Sequence, residues 1–169
     1  MVTNFFDDKF NQKNMRNRNN TCDRDYNCGG WALNIFSWYR PTTNPFFCKW
    51  GKVERYCDSN KQLSTTEMFN ITLKSVDCML HEFKDLRVIS NLNELKKDEY
   101  AIAFRIGSLI NDFHFCKRSK NGHWTHKMGG SRIRPISKKE VFADNWFGEY
   151  CGQLVLFAKK KLKFFRKNT

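Results

Sequence analysis

The sequence predicts an α+β domain in which N-terminal helices pack on an antiparallel sheet. Two observations carry this. First, Ser64-Thr65-Thr66-Glu67 forms a capping-box pattern, and the apolar residues after it recur at spacings of three and four, as on one face of a helix. Second, beyond residue 85 the period switches to two, most clearly in Asp112-Phe-His-Phe-Cys-Lys-Arg118, and a turn signal at Lys120-Asn121-Gly122 folds that run back on itself. Helices first and a meander afterwards is the pattern of segregated α and β layers.

Residues 1–25 are polar and basic, with Asn-Arg-Asn-Asn at 17–20, and read as a flexible lead-in. A first helix is expected from about Asn27 to Trp38, with Leu33, Ile35 and Phe36 on its apolar face and Pro41 ending it. Residues 41–62 hold Pro41, Pro45 and Gly51 and read as irregular loop. The second helix starts at Ser64 and carries Met68, Ile71, Leu73, Val76, Met79, Leu80 and Phe83 to about Lys84. His81 near its end reads as a cap or a solvated residue. Strands are expected at Leu86–Ser90, Tyr100–Ile106, Asp112–Arg118, His123–Lys127 and Gln153–Lys161, with a short helix from Ser137 to Asp144. The domain proper runs over 26–158, and 159–169 form a basic tail in which Phe164 and Phe165 interleave with lysines.

Composition excludes several classes. The chain has 169 residues, 40% hydrophobic and 15% aromatic, enough for one packed core. The longest apolar-leaning run, Trp31 to Tyr39, is too short to span a bilayer. The N-terminus lacks a basic segment followed by a long apolar one, so no signal peptide is read and a cytoplasmic site of synthesis is expected. Seven cysteines, odd in number and irregular in spacing, favour reduced thiols. No C-x-x-C occurs, and His114-x-Cys116 and His123-x-x-His126 are the only tight pairs, so neither a metal site nor a cofactor is expected. The net charge of +13 is concentrated at the two ends and suits contact with a polyanion such as nucleic acid or teichoic acid.

The residues that suggest chemistry begin at Tyr26-Asn27-Cys28-Gly29-Gly30-Trp31. A thiol at the first turn of a helix meets free N–H groups and the positive end of the helix dipole, which favour a thiolate nucleophile. Gly29 and Gly30 leave room beside the sulfur for a carbonyl substrate. A base is needed within reach. Folding the hairpin about Asn121 pairs positions that sum to roughly 242, which sets His114 one diagonal step from His126 on one face of the sheet. The first helix is expected to lay its N-terminus on that face. His123 has the opposite parity. Cys116 shares the face of His114 and reads as a packed strand cysteine, while Trp31 and Trp124 read as packing or cleft wall.

This arrangement resembles the NlpC-type papain-like cysteine peptidases and amidases, which cut peptidoglycan stem peptides. The nucleophile motif of that family, aromatic, Asp or Asn, Cys, small, Gly, apolar, is similar to Tyr26–Trp31 at every position. Its base is a strand His followed about a dozen residues on by a polar residue, often a second His, as at His114 and His126. Leu95-Lys96-Lys97-Asp98 is similar to the turn that precedes its first core strand, and Asp112-Phe-His-Phe with Trp124-Thr-His126-Lys-Met-Gly-Gly looks like a pattern in bacterial and phage proteins of the papain-like superfamily. Asp112-Phe113 stands where the family usually has Gly.

The resemblance implies a papain-like (NlpC-type) core over 26–158, a Cys28–His114–His126 triad, and a cofactor-free hydrolase of amide bonds in peptidoglycan or protein. It implies an oxyanion site at the Cys28 N–H and Tyr26, and a cleft at Gly29, Gly30 and Trp124. It also implies a protein that is virion-associated or released on lysis. The alternative from charge and from the lack of targeting is a non-catalytic virion-associated or nucleic-acid-binding protein on the same fold.

Overall fold

The computed structural model describes residues 26–35, 37–41, 62–109 and 112–161. The lead-in, most of the 41–62 loop and the tail beyond 161 lie outside the described residues. The elements are α1 (Cys28–Leu33), α2 (Thr65–Glu82), β1 (Leu86–Ile89), a 3₁₀ turn (Leu92–Glu94), β2 (Glu99–Ile106), β3 (Phe113–Arg118), β4 (Trp124–Lys127), β5 (Ile133–Ile136), α3 (Lys138–Val141) and β6 (Val155–Lys160). The six strands form one sheet in the order β1-β6-β2-β3-β4-β5, with every pair antiparallel. The α+β expectation stands, with β6 inserted between β1 and β2 rather than added at an edge.

Helix α1 is half the expected length. Asn34 takes the left-handed conformation (φ 58°), and the Ile35 N–H returns to the Gly30 carbonyl at 2.8 Å, so the chain turns back before Pro41 is reached. Helix α2 begins as the sequence dictates. Ser64 accepts from the Glu67 N–H while the Glu67 carboxylate accepts from the Ser64 N–H. Its inward face is Met68, Thr72, Ser75 and Met79, and Phe69 and Leu73 face outward. Strand β5 was hidden in the sequence by Pro135, which a strand tolerates at an edge, where β5 lies.

The sheet separates two cores. On one face Ile102, Phe104 and Ile106 of β2 and Phe113 and Phe115 of β3 pack with Cys28, Ala32 and Leu33 of α1 and with Met68 and Met79 of α2. On the other, Ala101, Ala103, Cys116, Trp124, Leu156 and Ala158 pack with Val141, Trp146 and Tyr150 from the segment after β5. Each fully buried Phe or Leu contributes roughly 1.5–3 kcal/mol by leaving water. Three lysines are structural and subtract from the surface charge. The Lys117 ammonium lies 4.6 Å from the Trp31 ring centre and donates to Asn34, and Lys127 lies 5.0 Å from that of Tyr26. Lys159, at the start of the basic tail, is an inner-strand residue paired with Asp85 at 2.6 Å. Among the described residues no helix is long and apolar enough to cross a membrane.

Candidate functional site

The histidine hairpin forms in the expected register. Cys116 pairs with His126, Lys117 with Thr125 and Arg118 with Trp124, so His114 and His126 are diagonal neighbours on one face. Their rings meet, His114 Nε2 to His126 Nδ1, at 3.2 Å. The His114 ring is buried against Trp146 and Tyr150, and Phe147 stacks on His126 with ring centres 4.9 Å apart and planes at 19°. Burial, and next to it the His126 ring, hold His114 down to about pKa 3, so it is neutral at physiological pH. His126 is lowered by burial and by Arg134 across the strand.

Cys28 is not on that face. Helix α1 covers the side of Phe113 and Phe115, which overturns the expectation that its N-terminus lies on the histidines. The physical reason is parity. Phe113, Phe115 and Phe104 make the more apolar face, and Ala32 and Leu33 bury most against it. The Cys28 thiol sits 4.0 Å from the Phe113 carbonyl and draws on the Phe115 N–H, so it touches the β3 backbone on both sides of His114 while the imidazole points away. This stretch of β3 precedes Cys116, the first β3 residue paired with β4.

The thiol gains little from its helix. Burial pushes Cys28 up to about 12, and the N–H groups of Phe115 and Gly29 oppose it only in part. The helix has six residues, and the Gly30 N–H is already spent on the Asn27 side chain at 3.0 Å. Cys116 is likewise pushed up by burial.

The remaining expected site residues do not form an open cleft. Tyr26, Gly29, Gly30 and Trp124 are all buried. A Cβ on Gly29 would meet the Tyr39 ring at 3.0 Å, so this glycine serves close packing rather than substrate approach. Trp124 belongs to the core of the histidine face, and His123 is exposed just before β4 begins. Among the described residues Cys28, Cys116 and Cys151 are free thiols. No group of three or more metal-ligating side chains is present among the described residues.

Sequence reading missed Arg105 and the segment it holds. Arg105 pairs in register with His114. Its buried guanidinium donates to the carbonyls of Ala143, Asp144 and Gly152 at 2.5–2.9 Å and lies 5.2 Å from the Trp146 ring centre, while its Nε has no partner among the described residues. It thereby fastens the 143–152 segment, with Trp146, Phe147 and Tyr150, over the histidines. The signal was a lone charge inside Tyr100-Ala-Ile-Ala-Phe-Arg-Ile106. Asp112 is raised by burial and shares a hydrogen bond with Tyr150. Replacing Arg105 with Leu leaves the three carbonyls without this donor, and urea unfolding should register a loss of about 3 kcal/mol. A loss below about 1 kcal/mol would show that this segment holds without the guanidinium.

Comparison with protein-family models, with curated proteins and with solved structures finds no match to this chain.

Proposed function

We propose that the chain is a papain-like thiol hydrolase of amide bonds, acting on peptidoglycan stem peptides or a protein. What supports the reading is that one segment of β3 carries His114, joined to His126 on one face, and takes the Cys28 sulfur against its backbone on the other. In this mechanism a neutral His114 accepts the thiol proton, and His126 fixes which ring nitrogen is free to do so. The sulfur attacks the amide carbonyl, and the carbonyl oxygen becomes an oxyanion facing the Cys28 N–H. The amine leaves with the proton from His114, and water releases the acyl group. The resting form is protonated and shielded, and the imidazole lies across the sheet from the sulfur, so catalysis requires the β3 backbone at His114 to turn over and bring the ring to the sulfur's face when substrate displaces the packing around it.

The test is release of peptides from purified cell-wall fragments and from casein by the full chain and by Cys28→Ala. The variant should lose activity by roughly 10³-fold or more with its fold retained by circular dichroism. Equal rates for the two proteins sink the proposal.

A second reading, a non-catalytic member of the same fold, is favoured by the buried thiol and by the imidazole on the opposite face. A peptide carrying an electrophilic ketone separates the two. The enzyme labels at Cys28, whereas a non-catalytic protein labels at exposed Cys151 and spares Cys28.

A further inference from the structure

We infer that the outer side of the histidine face, around β5, α3 and the Phe147 turn, binds single-stranded nucleic acid, independently of any chemistry at Cys28. The first observation is strain spent on display. Phe147 holds a left-handed backbone (φ 57°), which costs a non-glycine residue of order 1 kcal/mol or more. The turn that imposes it is closed by backbone bonds between Trp146 and Tyr150 at 3.0 Å. Burial does not repay the strain, because Phe147 remains 48% exposed. One ring face lies on His126, the His114 and Tyr150 rings meet it edge to face, and the exposed remainder offers a surface on which a planar group from solution can stack.

The second observation is what surrounds that ring. Ile136, Glu140, Ala143, Asn145, Trp146 and Phe147 line a small half-open cavity. Its walls include the Trp146 and Phe147 rings, and the Asn145 amide and Glu140 carboxylate are groups that pair with the donor and acceptor edge of a base. The Glu140 carboxylate is held by Ser137 as part of the α3 cap, so its position is fixed.

The third observation is charge. Arg134 stands across from His126 in register, and Lys138 and Lys139 open α3 beside the cavity. All three are exposed, and none is paired with a carboxylate among the described residues. Glu140, Asp144 and Glu149 are the acidic residues of the same surface and match these cations in number, so the net attraction for a polyanion comes from the chain's net charge of +13. Phe142, also exposed, extends the aromatic surface beside Trp124. Cations alone would take any polyanion. Stacking rings next to cations select a strand whose bases are unpaired, because a duplex hides the base faces and a polyphosphate has none.

Fluorescence anisotropy with the full chain tests this, using a labelled oligothymidine of about twenty nucleotides, the same strand annealed to its complement, and inorganic polyphosphate as competitor. The single strand should bind more tightly than the duplex, and polyphosphate should compete poorly. Phe147→Gly removes the ring while relieving the positive φ, so the fold is kept. It should weaken single-strand binding roughly tenfold, and Phe147→Trp should retain it. A combined Arg134→Glu, Lys138→Glu variant should weaken binding and flatten its salt dependence. Equal competition by polyphosphate, or affinity unchanged by both Phe147→Gly and the charge reversals, overturns the inference and leaves plain polyanion attraction by the rest of the chain.

Discussion

Replacing Gly30 with Ala is expected to dislodge α1 from the sheet, at a cost of about 3 kcal/mol or more in urea unfolding. A Cβ on Gly30 would lie 2.2 Å from the Ser37 carbonyl oxygen, 2.9 Å from that of Ile35 and 2.9 Å from the Tyr26 Cβ. Two of these are backbone atoms of the chain that has just turned back at Asn34, and that return is held by the Ile35 N–H to Gly30 carbonyl bond. Relief therefore means undoing the C-cap or moving the 35–39 segment, which the Asn27 side chain ties to the helix start through Tyr39. Asn27 thus holds both ends of the motif. It caps α1 and pins the returning strand, and Gly30 is the residue thin enough to let the two pass. Gly29→Ala serves as the comparison. Its nearest neighbour is a Tyr39 ring carbon at 3.0 Å, a side chain that can shift, so its cost should be smaller. If Gly30→Ala unfolds within about 1 kcal/mol of the parent, the close approach is not what fixes the helix.

The same motif shows where the sequence is readable and where it is not. The period-two run through Phe113–Arg118 and the Lys120-Asn121-Gly122 turn, with Gly122 at φ 83°, determine the register, and the two histidines meet as that register requires. Both capping boxes, at Ser64 and Ser137, form because the cap and its partner are local. Which face a helix covers is a non-local choice, settled by the area each face can bury. Both faces of β3 are apolar enough to be covered, one by Phe113 and Phe115, the other by Cys116 with Trp124 and Trp146. A thiol and an imidazole named by motif carry no record of that choice. Buried charge is equally illegible. Lys117, Lys127 and Arg105 look like surface residues until their stems and heads are seen against Trp31, Tyr26 and Trp146.

Acid should destabilise the protein well before its carboxylates titrate. His114 is neutral in the fold down to about pH 3, while in the unfolded chain it takes up a proton near the ordinary value of 6.5. A group with a lowered folded pKa and a cationic acid form leaves the unfolded state holding more protons. Stability is therefore complete above about pH 6.5 and falls as pH drops, by about 1.4 kcal/mol per pH unit for one such group. His126, lowered in the same direction, adds to the slope. The carboxylate contribution is separable. Glu99, held at about 2 by the Arg87 guanidinium, loses its advantage only below its ordinary 4.5. Urea unfolding at several pH values between about 7.5 and about 4.5 should thus show a loss of about 3 kcal/mol that belongs to the histidines. His114→Phe, which keeps a ring among Trp146, Tyr150 and Phe147, should flatten that slope even if it lowers stability throughout. A parent protein equally stable across this range contradicts the burial of a neutral pair. The burial that exacts this acid cost also supplies the free-base imidazole that a proton acceptor for Cys28 must have. That burial also makes the imidazole a weak base, so a reaction that first draws His114 out of it should return the ring toward its ordinary 6.5 and lose rate as pH falls through that value.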